Sequence, residues 1–273
     1  MPLPLVTTLL LFSLISLSSS LQPKNVLNFR PVSPLLLPGL YRSATLDSAT
    51  SEDAELVLSD LRIRTFIELR NDNELTKAES FSDGGRRLRE VAKIVRLPLL
   101  EDVDGLFGSV VETLPLNKRV EAGFLKAFSG RSYDKVVLEE LTREGGPGLL
   151  YKSILMSARP KVVEAVGIAL GAREGDGVLV NCQKGKDRTG LVCILAQMKV
   201  GENRDKIEED YAISERNLQE GGTREEKKVV EKKGGMDWGK LRGSPREAAV
   251  EVMDWIDKFG GIDKYLDIVD INT

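Results

Sequence analysis

Val178-Leu-Val-Asn-Cys-Gln-Lys-Gly-Lys-Asp-Arg-Thr-Gly190 runs without a break into Leu191-Val-Cys-Ile-Leu-Ala-Gln-Met198. Val178 to Val180 is apolar at every position, as a strand covered on both faces is. The longer apolar run from Leu191 reads as a helix. Between them lies a tight loop that ends at a helix N-terminus. Backbone N–H groups of such a loop converge on one point, and the helix dipole adds positive potential there. The Arg188 guanidinium can hold two oxygens of a phosphate in a fork. Lys184 and Lys186 add two more positive charges, giving three basic residues in five positions. Cys182 opens the loop, in a field that favours thiolate over thiol. A thiolate facing a bound phosphate is a nucleophile aimed at phosphorus.

The composition narrows the chemistry further. The chain has 273 residues, 39 Lys and Arg against 42 Asp and Glu, no His and two Cys. Without histidine, Ser-His-Asp and Cys-His catalysis, HExxH zinc sites and any His-ligated metal are excluded. Two cysteines build neither a zinc ribbon nor a disulfide framework. The net charge of −3 argues against wholesale binding of nucleic acid. What remains is carboxylates, Lys, Arg, Tyr, hydroxyls and two thiols.

Outward from the loop, the chain alternates strands and helices, which implies an α/β architecture with a mostly parallel central sheet flanked by helices. Strands are expected within Gly39–Leu46, over Arg64–Arg70 and over Val91–Leu99. A helix is expected over Ser51–Leu61, with Ser51 as N-cap and Asp53 and Glu55 in its first turn. Further helices are expected over Pro160–Ala172 and Pro245–Phe259. Residues 101–150 read as a helical lid over the site, and the charged stretch 200–243, with its Gly221-Gly and Gly234-Gly pairs, as a mobile surface segment. Within it, the Lys-rich residues 227–233 read as a solvated face. Residues 3–17 carry no charge, and Ser18-Ser-Ser20 follows. That length suits the apolar core of a signal peptide better than a membrane span of about 20 residues. Residues 1–20 therefore read as a targeting segment bound for the secretory pathway or an organelle, with a retained anchor or a mis-assigned start as alternatives, and 21–273 as one domain. Membrane contact is expected only through that segment or through the substrate.

C-x5-R-T-G after a strand resembles the phosphate-binding loop of the cysteine-dependent protein tyrosine phosphatase superfamily. The fuller string C-x-x-G-K-D-R-T-G, Cys182 to Gly190, resembles its atypical tyrosine and lipid phosphatase branch. Asn28-Phe-Arg30, Leu40-Tyr-Arg-Ser43, Ile63 to Arg70 with Glu74, Asp210-Tyr211 and Gly260 to Leu266 are similar to blocks of that branch in the same order. The resemblance implies a tyrosine phosphatase-like fold and a phosphomonoester hydrolase acting through a phosphocysteine on Cys182. It implies that the amides of Gln183, Lys184, Gly185, Lys186, Asp187 and Arg188, with the Arg188 side chain, hold the phosphate. Thr189 would hydrogen-bond the thiolate as it leaves. No metal and no cofactor is implied.

Two departures from the pattern stand out. Asn181 occupies a position where the family usually has His, a supporting donor that an amide can replace. Glu68 stands where Asp is commoner and keeps the charge. For the general acid, Asp187 inside the loop competes with Asp102, or its neighbour Asp104, on the loop after the third strand. Arg42 and Arg70 read as salt-bridge formers, and Cys193 as core. The implied substrates are phosphotyrosine or mixed phosphoproteins. The two loop lysines make phosphoinositides or inositol phosphates the alternative, and Asn181 leaves open a phosphate-binding protein without turnover.

Overall fold

Five strands make one sheet in the computed structural model, which describes residues 22–76, 81–101, 108, 110–112, 114–128, 137, 148–221 and 244–267. They are β1 (Arg30–Pro31), β2 (Leu40–Ser43), β3 (Ile63–Glu68), β4 (Lys93–Arg96) and β5 (Gly177–Asn181), in the order β1-β2-β5-β3-β4. Only β1 runs antiparallel, so the architecture is the mostly parallel, helix-flanked sheet that the alternation of strands and helices implies. β5 is the central strand and all five of its residues are buried. Its side chains divide by parity, as a pleated strand requires. Val178 and Val180 join the core on one face with Leu40 and Ile67, while Leu179 joins the other with Phe29, Ile63 and Phe66.

The helices are α1 (Ser51–Glu55), α2 (Asp72–Thr76), α3 (Asp83–Val91), α4 (Leu116–Phe128), α5 (Gly148–Ser157), α6 (Arg159–Leu170), α7 (Asp187–Lys199), α8 (Arg204–Gly221), α9 (Arg246–Phe259) and α10 (Ile262–Leu266). Every residue of α7 from Arg188 to Gln197 is buried. A helix apolar on all sides belongs in the middle of a layer, and α7 packs among α6, α8, α9 and β5. The loop before it is thereby pinned from both ends: to the sheet centre by β5 and to the core by α7.

Several boundaries differ from the sequence reading. Thr50, not Ser51, caps α1. Its hydroxyl accepts from the Asp53 N–H while the Asp53 carboxylate accepts from the Thr50 N–H, a reciprocal box that favours Thr50. The helix then continues as a π-helical turn, Leu56–Asp60. Val91 ends α3 rather than starting a strand. The Gly84-Gly85 pair hides α3 in the sequence, yet a Cβ at Gly84 would lie 2.0 Å from the Thr50 carbonyl oxygen, so glycine is what lets α3 pack on α1.

The charged stretch from residue 200 is not simply a surface segment. Arg204–Gly221 is helical, with Ile207, Tyr211 and Ser214 buried at helical spacing. A buried face containing only one aliphatic side chain gives little periodic signal against so many charges. In the span read as a lid, α4 and the start of α5 are helical. Val110, Ala122 and Val137 form a small apolar cluster there, with Leu149 and Leu150 against it. Residues 1–20, read as a targeting segment, lie outside the described residues, as do 102–107, 109, 113, 129–136, 138–147 and 222–243. Among the described residues no helix is long and apolar enough to cross a membrane.

Candidate active site

The loop from Cys182 to Lys186 is shaped from outside by its carbonyls. The Gln183 carbonyl accepts from the Thr45 N–H at 3.3 Å. The Lys184 carbonyl accepts from Asn28 Nδ2 at 3.2 Å. The Gly185 carbonyl accepts from Asn28 Nδ2 at 2.8 Å and from Arg42 Nη2 at 3.0 Å. In a trans peptide the N–H points opposite to the C=O. Three successive carbonyls held outward therefore turn the N–H groups of Lys184, Gly185 and Lys186 inward. The first turn of α7 adds N–H groups that have no intrahelical acceptor. Gly185 has φ +65°, and a Cβ there would fall 2.2 Å from the Ser43 backbone. The loop lies that close to the end of β2 because nothing larger stands at 185.

Cys182 lies at the start of this cup and is 2% exposed. Arg188 is buried beside it, with Nη1 and Nη2 each 2.6 Å from a different oxygen of Glu74 and Nη1 also donating to the Leu69 carbonyl at 3.2 Å. Burial alone would lower the Arg188 pKa. Its bonds to Glu74 and the nearby Cys182 outweigh this and raise it. Burial works the other way on Glu74, and Arg188 holds that carboxylate below its usual range. Glu74 is itself set by Asn71, whose N–H donates to Glu74 Oε2 at 2.9 Å and whose Oδ1 accepts from the Glu74 N–H at 2.9 Å. Thr189 Oγ1 and Asn181 Nδ2 are buried with no hydrogen-bond partner among the described residues. The hydroxyl is thus uncommitted where a sulfur partner is expected. The Asn181 amide does not form the donor network expected of it.

Asp187 is the first residue of α7 and its side chain is 33% exposed. Its Oδ1 accepts from Tyr151 Oη at 2.5 Å, and Tyr151 Oη lies 2.6 Å from Tyr211 Oη. Lys186 Nζ stands 3.7 Å from the same Oδ1. The two loop lysines are not equivalent, as the sequence reading had them. Lys184 is exposed, whereas Lys186 is buried, and burial followed by repulsion from Lys184 lowers its pKa. Asp102 and Asp104 lie outside the described residues.

The geometry is that of a buried cysteine inside a ring of inward N–H groups, closed by an arginine and flanked by a carboxyl. The sequence profile described as "Tyrosine phosphatase family" matches residues 37–271. The chain belongs to the tyrosine phosphatase family. No curated protein matches it. Phosphatase chemistry is what this family performs, and no group of three or more Cys, Asp or Glu among the described residues is placed to hold a metal ion.

Behind the phosphatase loop lies a buried ion cluster, which gives the motifs Asn28-Phe-Arg30 and Asp210-Tyr211 a physical task. Arg30 donates to Asp210 Oδ1 at 2.8 Å, to the Asp210 carbonyl at 2.7 Å, to Ser214 Oγ at 2.9 Å and also to Asn28 Oδ1. Arg42 Nη1 donates to Asp210 Oδ2 at 2.5 Å. Asp210 thus holds two arginines, one of which grips the Gly185 carbonyl. Arg70 is bonded to Glu68 and to Asp47 of the loop after β2. The sequence reading missed Asp47, Ser214 and Tyr151, because single polar residues on helices and turns carry no local signal of their distant partners. Cys193 is core as expected, and burial pushes its thiol up to about 11.

Asp210→Asn leaves both buried guanidiniums without a counter-charge. Removing one partner of such a cluster costs about 3–5 kcal/mol, readable in thermal and urea unfolding. Burial alone would raise the Asp210 pKa, but Arg42 and Arg30 outweigh it and hold it below 3.8. A carboxylate with a depressed folded pKa stabilises fully above its unfolded value and loses that contribution as the pH falls through the folded one. The stability difference between wild type and Asp210→Asn should therefore hold near neutrality and shrink in acid below about pH 4. A loss at neutral pH under about 1 kcal/mol, the scale of a surface pair, would show that Asp210 does not anchor the cluster.

Proposed function

We propose that the chain hydrolyses phosphomonoesters through a phosphocysteine on Cys182, with phosphotyrosine or mixed phosphoproteins as substrates, as in the atypical branch marked by C-x-x-G-K-D-R-T-G. The observation that carries this reading is the capture of the carbonyls of Gln183, Lys184 and Gly185 from outside, which aims three N–H groups at the space facing Cys182. The amides, the α7 terminus and Arg188 neutralise the equatorial phosphoryl oxygens, whose charge must be stabilised as phosphorus passes between two partners. Cys182 Sγ forms the bond to phosphorus while the ester oxygen departs with a proton from Asp187. Water then attacks phosphorus, Asp187 takes its proton, and the thiolate leaves towards the uncommitted Thr189 hydroxyl.

Lys184, exposed on the loop, favours a second reading in which the substrate is an inositol phosphate or phosphoinositide. A second phosphate would meet one accessible lysine there rather than two. Phosphotyrosine peptides and phosphoinositides assayed side by side separate the two readings.

The test of the reaction itself is hydrolysis of an aryl phosphate without added metal, followed by a leaving-group comparison. Asp187→Asn should lower kcat on alkyl or inositol phosphates by roughly 10²–10⁴-fold, the scale of general acid catalysis. On an aryl phosphate, whose phenolate departs readily, the loss should be far smaller. Asp102→Asn should be nearly silent on both. The reverse pattern would move the acid to the loop after β4. No hydrolysis of any ester would leave a phosphate-binding protein.

A further inference from the structure

Apart from Lys186, whose Nζ lies 3.7 Å from Oδ1, Asp187 is held from outside the loop that carries it. Its carboxylate is tied to Tyr151 on α5, and Tyr151 to Tyr211 on α8, so three elements far apart in sequence meet at one carboxyl. Both tyrosines are fully buried, and their rings cross edge to face with centroids 6.3 Å apart. Ionised Asp187 can only accept, so Tyr151 donates to Oδ1. The Tyr151 oxygen then accepts from Tyr211. The chain of donors runs one way, from α8 through α5 to α7. Oδ1 is occupied, which leaves Oδ2 as the oxygen free to exchange a proton with a substrate.

We propose that Tyr151 is a positioning residue for the general acid, with Tyr211 fixing the direction of its hydroxyl. The inference rests on Asp187 being that acid. As the ester bond breaks, the proton on Oδ2 passes to the departing oxygen, and the new carboxylate keeps the Tyr151 bond on Oδ1. In the hydrolysis step Oδ2 takes a proton from the attacking water, and the starting state returns. Tyr151 stays protonated throughout. Burial, then the charge of Asp187 and the neighbouring Tyr211, hold its pKa well above 10, so it donates a hydrogen bond and never the proton itself. Tyr151 is also the fourth residue of α5, whose Leu149 and Leu150 pack against the cluster of Val110, Ala122 and Val137.

The experiment uses the full chain and compares kcat for an aryl and an alkyl phosphate in Tyr151→Phe, Tyr211→Phe, Asp187→Asn and the Tyr151→Phe/Asp187→Asn double variant. Tyr151→Phe should lose about 10–100-fold on the alkyl ester, the range expected when an acid is misplaced rather than removed, and little on the aryl ester. Tyr211→Phe should lose less, in the same direction. Tyr151→Phe should add no further leaving-group dependence in the Asp187→Asn background. A structural role would instead lower both substrates together, and equal losses in Tyr151→Phe overturn the proposal. If that variant does not fold, equal losses or none in Tyr211→Phe overturn it. When Asp187→Asn shows the leaving-group dependence and the tyrosine variants do not, only the positioning role fails. When Asp187→Asn itself shows none, the acid assignment fails and takes this proposal with it.

Discussion

Cys182→Ser should abolish turnover, by at least about 10⁴-fold in kcat, as removal of a covalent nucleophile does. Serine fits the space of a residue that is 2% exposed, so the fold and the loop should survive. The hydroxyl has neither the thiolate's nucleophilicity nor its ease of departure. What the substitution leaves in place is as informative. The N–H groups of Lys184, Gly185 and Lys186 are aimed by Thr45, Asn28 and Arg42 through bonds to the loop carbonyls, not to the sulfur. Binding of inorganic phosphate should therefore persist in Cys182→Ser, by calorimetry or by protection against thermal unfolding, while hydrolysis does not. Near-normal hydrolysis would end the covalent mechanism. Loss of phosphate binding together with activity would mean that the sulfur, not the amides, organises the loop.

Much of this site is legible in one stretch of sequence because strand, loop and helix are contiguous. Val178-Leu-Val180 could only be buried on both faces, and the structure makes it the sheet centre. Arg188 and Cys182 lie six residues apart on one loop, so local geometry alone brings them together. The parts that were not legible are those whose partners lie far along the chain. Nothing near Tyr151 announces Asp187, 36 residues on. Nothing near Asp210 shows that it faces Arg30, 180 residues earlier, rather than water. Charge density misled in the same way. Residues 204–221 look solvated because α8 buries a polar face, including Ser214 and much of Asp210, whose charge is matched inside the protein rather than at its surface. Lys186 is the converse case, a loop lysine that reads as an accessible charge but is folded against Asp187.

Arg188→Ala should rank next to loss of the nucleophile. An arginine that stabilises a transferring phosphoryl group is worth roughly 10³–10⁵-fold in kcat. Here its two η nitrogens are occupied by Glu74 at 2.6 Å each. Glu74 fixes the plane of the guanidinium in advance, so little is spent on ordering it as substrate arrives. The same pairing separates charge from shape. Arg188→Lys keeps a cation but has no planar fork, and cannot hold Glu74 through one face while presenting another edge to phosphate. It should recover only a small part of the Ala loss, mostly in KM, because a point charge attracts the bound ester and the transition state nearly alike. Glu74→Gln keeps a hydrogen-bonding oxygen for Arg188 and removes the charge. It should lower kcat less than Arg188→Lys does, since the fork survives and only its orientation loosens. Kinetics on one aryl phosphate across the three variants, with unfolding curves beside them, tests that order. If Arg188→Lys restores kcat to near the wild-type value, positive charge at this position is enough, and the bidentate geometry held by Glu74 has no part in stabilising the transition state.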